Sequence, residues 1–406
     1  MIRHTPFWLD RYPKSRRPSY PRHRGPADAG LVIVGGGLTG AACAWTFASA
    51  GVQTVLLEAD RIGSGSTAAA AGLVREDFDA TFQETASAYG LRAARLLWQG
   101  MRRASLDFAA ALRRLEIRCD LSHQDLLLVA RSPEDGKRLR KDYQARRDAG
   151  LGHSWLTPRA VEREAALSAA GAIRTRGGAL DPYRACVGLI AGAAARGAAV
   201  FERSPVTRIR VRSKHVEVTT NGGVVRAGAV VIATAAPLAD LRSLRRHFRN
   251  EQGYAVVTEP LPAAVRRQLG QRAAAIRDTA PTPHFLRWLK DDRVLFAGAD
   301  QAPVPVRARE RTIVQRTGQL MYELSVLYPA ISGALPEWSW DFGHHSSVDG
   351  LPCIGVHRNF PRHLFALGHG RHGVGTAWLA ARLLLRHYHG ELEKGDELFG
   401  FVRLLG

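Results

Sequence analysis

The chain has 406 residues, of which 46% are hydrophobic and 23% are charged. This length suits two to three average domains, and this composition excludes a disordered or collagen-like chain. Lysine and arginine number 57 against 37 aspartates and glutamates, a net charge of +20 that is spread along the whole chain. We therefore expect small anionic ligands and no nucleic acid as partners.

The first predicted segment, 1–27, is rich in arginine and proline and has no apolar core, so we expect a partly ordered basic arm and no secretory signal. No stretch of about 18 residues is free of charge, which predicts that no helix spans a membrane. The cysteines Cys43, Cys119, Cys186 and Cys353 are isolated, so neither a metal site nor a disulfide framework is expected. This pattern is typical of the reduced cytoplasmic compartment.

A complete β-α-β unit follows the arm. An apolar strand, Leu31–Val34, leads into a glycine loop, and a helix is predicted over Ala41–Ala50. Gly51 ends that helix, and a second strand, Gln53–Leu57, closes on Glu58.

The glycine loop has the GxGxxG spacing at Gly35, Gly37 and Gly40. A pyrophosphate needs backbone N–H groups at a helix N-terminus and no Cβ in the way. Glu58 has the spacing of a carboxylate that binds the adenosine ribose hydroxyls, and it would repel the 2′-phosphate of NADP. The unit predicts an ADP-containing cofactor, and it alone does not separate FAD from NAD.

The remaining elements continue in chain order. We predict helices at 81–115, 135–149, 181–197, 312–328 and 376–389, a short helix capped by Thr157, strands at 124–130, 200–206, 229–233, 254–258, 284–289, 294–298 and 363–367, and a hairpin at 216–225 that turns at Asn221-Gly222.

Three later stretches favour a flavin. Arg61–Leu73 is rich in small and hydroxyl residues, and a buried strand ends in Ala233-Thr234-Ala235. A second glycine loop, Gly368–Gly375, precedes the last helix, whose N-terminal dipole would suit the flavin N1–C2=O group, where negative charge gathers on reduction.

The chain thereby resembles the FAD-dependent oxidoreductases of the D-amino acid oxidase (DAO) family, of the glycine oxidase and sarcosine oxidase type. The motifs that carry the resemblance are VIVGGGLTG, LLEADRIGSGSTAAAAGL, Leu180–Tyr183, VVIATAA, Val257–Pro260, Phe296–Asp300, Asp349–Gly355 and GHGRHGVG. The resemblance implies an α/β fold, with a Rossmann-like FAD-binding domain of the GR2 type and a second α+β substrate domain built on a mixed or antiparallel sheet.

The expected domain boundaries follow from this resemblance. The FAD-binding domain takes 28–80, 179–240 and 341–390, the substrate domain takes 81–178 and 241–340, and 391–406 forms a C-terminal tail. The expected FAD contacts are Gly35, Gly37, Leu38, Thr39, Gly40, Glu58, Ala59, Arg61, Gly65, Ser66, Thr67, Ala71, Gly72, Leu73, Val206, Ala233, Thr234, Ala235, Gly368, Gly370, Arg371, His372, Gly373, Val374 and Gly375.

The chain departs from its relatives at several positions. Where some members attach flavin covalently, it has Phe342 and Ala69, which implies non-covalent FAD. Near the positions at which other family members bind the substrate carboxylate, this chain has His344 and Gly375. Near the position at which some members promote the reaction with oxygen, it has Phe296.

Four other side chains are the candidates on the substrate side. Arg75 and Arg287 could each bind a carboxylate in a bidentate manner, or they could be ordinary surface cations. His344 and His345 could accept an amine proton, bind an anion, or serve a structural purpose.

The sequence thus predicts oxidation of a C–N bond of an amine or amino acid, by hydride transfer to flavin N5 and hydrolysis of the imine. The alternatives are an FAD-dependent dehydrogenase with a substrate that is not an amino acid, and a basic nucleic-acid-associated protein that retains the fold. The partners would be a small-molecule substrate and an electron acceptor, either oxygen or a redox carrier. A homo-oligomer is compatible with the sequence.

Overall fold

The computed structural model describes residues 2–404, so Met1, Leu405 and Gly406, at the ends of the expected arm and tail, lie outside the described residues, as does the side chain of His372. Across residues 2–404, none of the helices combines the length and the apolar character that crossing a membrane requires.

Helices and strands alternate through most of the chain. The strands are β1 Ala27–Val34, β2 Thr54–Leu57, β3 Leu73–Arg75, β4 Ser122–His123, β5 Leu126–Val129, β6 Ser154–Leu156, β7 Ala172–Thr175, β8 Gly177–Ala179, β9 Ala199–Phe201, β10 Val206–Val211, β11 Val216–Thr220, β12 Gly223–Ile232, β13 Phe248–Thr258, β14 Ala275–Asp278, β15 Phe285–Trp288, β16 Val294–Gln301, β17 Pro336–Ser347, β18 Cys353–His357 and β19 Phe360–Leu367. The α-helices are α1 Phe7–Arg11, α2 Leu38–Ser49, α3 Ser66–Ala69, α4 Phe82–Tyr89, α5 Leu91–Arg114, α6 Pro133–Asp148, α7 Pro158–Ala165, α8 Pro182–Ala194, α9 Ala263–Arg266, α10 Arg309–Leu327 and α11 Gly373–His389.

The first sheet is built on β1, which pairs in parallel with β2 on one side and with β12 on the other. Among the described residues the sheet has eight strands, in the order β10-β11-β12-β1-β2-β9, with β19 parallel to the end of β12 and β18 beside β19. Residues 31–34 are all buried, as expected when helices or strands cover both faces of a parallel sheet.

The predicted β-α-β unit is confirmed as β1-α2-β2. Helix α2 is buried along nearly its whole length between α8 and α11, because its alanine-rich sequence lets neighbouring helices approach closely. It begins at Leu38, three residues before the predicted start, and Gly51 follows its end with a φ of +78°.

The second sheet runs in the order β17-β13-β16-β15-β14-β5-β7-β6, again with eight strands in the described part of the chain. Its strands come from 126–175 and 248–347, whereas those of the first sheet come from 27–57, 199–232 and 353–367. Helix α10 packs against β13, β16 and β17. A small sheet, β3-β8-β4, completes the strands.

Several local predictions are confirmed by side-chain contacts. The hydroxyl of Thr157 accepts the amide N–H of Ala160 at the start of α7, and the carboxylate of Asp181 accepts that of Arg184 at the start of α8. The β11-β12 hairpin turns at 221–222, as predicted.

Several helix boundaries differ from the prediction: α8 ends at Ala194 and α10 begins at Arg309, each three residues from the predicted position. The helix expected over 81–115 is divided at Gly90, whose φ of +82° ends α4 before α5 begins. The last helix begins at Gly373 and not at Thr376, so the end of the second glycine loop forms the first turn of α11.

The expectation of a partly ordered arm is wrong for its first half. Phe7 and Trp8 are 5% and 6% exposed, and they pack in a cluster with Trp338 and Trp340 of β17. Aromatic burial therefore fixes α1 against the second sheet.

Candidate active site

A cleft separates the carboxyl ends of β1 and β12 from the second sheet, and its empty volume, with the solvent at its mouth included, is about 1140 Å³. Ligands in open α/β sheets bind at this edge. The residues that line it are Gly37, Leu38, Thr39, Ser66, Thr67, Ala69, Ala70, Ala71, Gly72, Leu73, Arg75, Pro182, Ala233, Thr234, Ala235, Ala255, Phe285, Leu295, Ala297, Phe342, Gly343, His344, His345, His369, Gly370, Arg371, Gly373 and Val374.

The glycine loop presents bare backbone to the cleft. A Cβ on Gly40 would lie 1.8 Å from the carbonyl oxygen of Gly35, so the loop closes tightly on α2. A Cβ on Gly37 would meet only Thr67 Oγ1, at 3.2 Å, so this position opens onto the cleft. Helix α2 begins after Gly37 without a side-chain cap. The N–H of Leu38 donates to Thr67 Oγ1 at 2.8 Å, so the following N–H groups of the first turn and the positive dipole end are the ones available to a phosphate.

Glu58 lies behind this loop, outside the cleft lining. Its carboxylate accepts the N–H of Gly36 at 2.6 Å and that of Asp60 at 2.8 Å, and burial raises its pKa. Its own carbonyl accepts the N–H of Ser204, two residues before Val206. The two positions expected to hold adenosine thus belong to neighbouring segments, and both carboxylate oxygens retain lone pairs for hydroxyl donors.

The second glycine loop brings a second helix N-terminus to the cleft. Gly368 and Gly370 have φ values of +71° and +55°, which favour glycine, and α11 then starts at the cleft with Gly373. A Cβ on Gly375 would lie 2.7 Å from Cε of Met101, so this glycine serves close packing.

Most of the predicted cofactor residues line one cleft. These are Gly37, Leu38, Thr39, Ser66, Thr67, Ala71, Gly72, Leu73, Ala233, Thr234, Ala235, Gly370, Arg371, Gly373 and Val374. Other predicted residues lie outside the lining, namely Gly35, Gly40, Glu58, Ala59, Arg61, Gly65, Val206, Gly368 and Gly375. The side chain of His372 lies outside the described residues.

Of the two arginines that line the cleft among the described residues, Arg371 and Arg75, the more deeply buried is Arg75. It is 2% exposed, its Nε donates to Oδ1 of Asp77 at 2.8 Å, and its guanidinium lies 5.3 Å from the ring centre of Phe285. Its Nη1 has no hydrogen-bond partner among the described residues, and the closest carboxylate oxygen, on Asp79, is 4.0 Å away. Burial lowers the pKa of Arg75 to about 10, so it remains a cation at neutral pH. A buried donor of this kind favours an anionic ligand group.

The histidines of the cleft differ in their partners. His344 Nε2 lies 3.0 Å from Oδ2 of Asp300, which also forms an ion pair with Arg371. His345 has a buried Nδ1 with no hydrogen-bond partner in the described part of the chain. Burial, and then the neighbouring His344, lower the pKa of His345, so its imidazole is neutral at neutral pH and can accept a proton. Burial lowers the pKa of His369 to about 4.

Arg287 does not face the cleft, which corrects the expectation that it could fork a substrate carboxylate. Its Nη1 donates to the carbonyls of Ala71, Gly72 and Leu180, at 2.8, 3.3 and 2.7 Å. Nη1 is therefore occupied by backbone carbonyls behind the cleft wall, and Arg287 is not among the residues that line the cleft.

The sequence reasoning missed three polar or aromatic participants, Phe285, Asp300 and His369. Asp300 and His369 lie in motifs that the resemblance already singled out, so those motifs were the available signal. No sequence pattern marked Phe285, because the strand pairing of β15 alone brings it to the cleft.

Comparison with known proteins gives consistent likenesses. A model of the family described as "FAD dependent oxidoreductase" (DAO) matches residues 31–386. Gamma-glutamylputrescine oxidoreductase of Escherichia coli K12 is 26% identical over 370 residues, which cover 90% of this chain and 85% of that protein. Glycine oxidase of Geobacillus kaustophilus is 29% identical over 358 residues, which cover 85% of this chain and 88% of that protein. The crystal structure of glycine oxidase from Geobacillus kaustophilus has a TM-score of 0.74 at 23% identity, covering 94% of this chain and all of that one, which is a likeness of fold.

Proposed function

Because the chain belongs to the DAO family of FAD-dependent oxidoreductases, we propose that it binds FAD non-covalently and oxidises a C–N bond of a small amine that carries an anionic group. The resemblance and the fold class predicted from the sequence are confirmed. The names of two relatives, an oxidoreductase of gamma-glutamylputrescine and a glycine oxidase, support an amine as the substrate class.

The residues of the cleft fit FAD. The start of α2, where only the Leu38 N–H is taken by Thr67, and the open side of Gly37 suit the pyrophosphate. Glu58, behind the glycine loop, suits the ribose, and the α11 start suits an electron-rich edge of the flavin. By the resemblance, the positions at which some family members attach flavin fall near Phe342 and Ala69, and neither side chain is a nucleophile. The four cysteines are buried and none lines the cleft, which supports a dissociable cofactor.

Bound FAD supplies an acceptor for two electrons, which is the chemistry that oxidation of an amine requires. The substrate loses a hydride from its α-carbon and a proton from its nitrogen, and so becomes an imine. Addition of water then gives a carbonyl compound and the released amine.

The observation that carries the proposal is that Arg75 and His345 line the same cleft as the α2 N-terminus. The free Nη1 of Arg75 would hold the anionic group, and the neutral imidazole of His345 would accept a proton from the ammonium form. Phe285, Phe342 and Leu295 supply apolar wall that excludes water. The residues thus orient the amine and remove its proton, and no stronger base is required.

The experiment is turnover of a matched panel with an artificial electron acceptor, in air and without air. The panel pairs N-methyl amino acids, D-amino acids and aminoalkyl acids with their methyl esters and with the corresponding hydroxy acids. Carbonyl product from the anionic amines alone supports the proposal. Oxidation of the hydroxy acids with no reaction of the amines would replace it with a dehydrogenase whose substrate is not an amino acid.

A further inference from the structure

Four consecutive carbonyls of the cleft wall are held by buried side chains from behind. In the segment Ala69–Gly72, the carbonyl of Ala69 accepts Trp340 Nε1 at 3.1 Å and that of Ala70 accepts Trp8 Nε1 at 2.8 Å. The carbonyls of Ala71 and Gly72 both accept Nη1 of Arg287.

The three donors come from distant parts of the chain, and two of them, Trp8 and Arg287, contact each other. The guanidinium carbon of Arg287 lies 4.8 Å from the ring centre of Trp8, and Trp8, Trp340 and Arg287 are 6%, 1% and 6% exposed. The donors do not line the cleft, whereas all four residues of Ala69–Gly72 do. The donors therefore lie on the side of Ala69–Gly72 that faces away from the cleft.

The direction of the carbonyls fixes the direction of the amides. A trans peptide unit is planar, and its N–H points opposite to its C=O. Donors that hold the carbonyls of Ala70 and Ala71 outward therefore turn the N–H groups of Ala71 and Gly72 toward the cleft. We propose that Trp8, Trp340 and Arg287 are positioning residues for FAD, and that the α1 arm is thereby a working part of the cofactor site.

The arm is anchored independently of this segment, which provides a matched control. Trp338 Nε1 donates to Oδ2 of Asp10 at 3.0 Å, and the backbone of Arg3 hydrogen-bonds to Glu337 and Ser339. Trp338→Phe and Trp8→Phe each remove one indole hydrogen bond between the arm and the body of the protein. Only Trp8→Phe removes a bond to the cleft wall.

The test has two measurements on the full-length protein. Calorimetric titration of the apoprotein with FAD gives the Kd for FAD, and absorption spectroscopy gives the visible spectrum of each FAD-saturated protein. The test rests on the proposed function, because it requires FAD that dissociates. Loss of one buried hydrogen bond predicts a Kd for FAD that is about fivefold higher in Trp8→Phe. We also expect a shifted flavin absorption maximum in Trp8→Phe, with both properties of Trp338→Phe matching the wild type.

The ratio of the Kd values for FAD of the two variants decides the inference. A Kd ratio of Trp8→Phe to Trp338→Phe of at least threefold, together with the spectral shift, supports it. A smaller ratio, or an unshifted spectrum, overturns it. If Trp8→Phe yields no folded protein, Trp340→Phe is compared with Trp338→Phe by the same criteria. A wild-type protein that binds no FAD overturns the proposed function as well, whereas wild-type binding with a ratio below threefold overturns this inference alone.

Discussion

The Nη2 atom of Arg75 lies 2.8 Å from Oδ1 of Asp77, and both side chains are almost entirely buried beside the cleft. Nε donates to the same oxygen, so one edge of the guanidinium is occupied by Asp77. Nη1, on the other edge, has no hydrogen-bond partner among the described residues and lies 4.0 Å from Asp79 Oδ1, and it is the atom that we propose binds the ligand. This arrangement gives one arginine two separate tasks, and lysine, with a single ammonium group, cannot perform both.

Arg75→Lys should therefore weaken substrate binding without unbalancing the buried charge of Asp77. We expect KM for the anionic amine to rise about tenfold, the effect of losing one charge-assisted hydrogen bond. Steady-state kinetics and flavin content of the purified variant provide the measurement. Arg277→Lys is the control, because Arg277 stacks on the same Phe285 ring at 5.7 Å but does not line the cleft. Equal KM values in wild type and Arg75→Lys would remove Arg75 from the substrate site.

His345→Gln should slow the reaction in a manner that depends on pH. At pH 7 the substrate is an ammonium ion, and loss of the proton acceptor should lower kcat/KM about 10²-fold. Above the pKa of the amine the free base needs no acceptor, so the deficit should shrink. Rates of wild type and variant from pH 6.5 to 10.5 give the comparison. A deficit that stays constant over this range would show that His345 does not accept the proton.

Gly37→Leu and Gly40→Ala should fail for different reasons. At Gly37 a side chain would project into open cleft, so we expect a folded protein that retains no FAD. At Gly40 a methyl group would collide with the Gly35 carbonyl, so we expect a lower Tm in both the apo and FAD-loaded proteins. Thermal unfolding and flavin content measured side by side distinguish the two. Full flavin retention by Gly37→Leu would argue against a pyrophosphate at this loop.

His153 should make the protein sensitive to acid. Burial, and then Arg146, lower its pKa to about 4, below the value of about 6.5 in an unfolded chain. The depressed folded-state pKa means that its stabilising contribution is complete above pH 6.5 and is lost as the pH falls toward 4.

Urea unfolding at pH 7.5, 5.5 and 4.5 measures this contribution. In His153→Gln the fall in the free energy of unfolding between pH 6.5 and 4 should be shallower, by up to about 1.4 kcal/mol per pH unit. His369, whose pKa burial also lowers to about 4, should preserve part of the slope in the variant. Parallel curves for wild type and His153→Gln would contradict the assignment.

The sequence predicted the parts of the fold that depend on residues close together in the chain. The β1-α2-β2 unit was predictable because an apolar run, a glycine spacing and a following Glu58 specify one local arrangement. The hairpin at 221–222 was predictable for the same reason. Most of the cleft residues that the sequence predicted belong to such local motifs, the two glycine loops among them.

The sequence did not predict contacts between segments that are far apart in the chain. The residue type at position 287 does not reveal that Arg287 donates to carbonyls of a segment more than 200 positions away in the chain. The apolar periodicity runs unbroken through Gly90, and only its positive φ divides the helix. Likewise, the burial of Trp8 depends on β17, at the far end of the chain. These features depend on contacts between segments that are far apart in the chain, and no local pattern of residues marks them.

The most direct test is anaerobic titration of the purified FAD-loaded protein with an anionic amine from the panel, followed at the flavin absorption band at about 450 nm. One equivalent of amine should bleach the band fully and yield one equivalent of carbonyl product. A band that stays unchanged with every amine, while dithionite bleaches it, would contradict C–N oxidation by this protein.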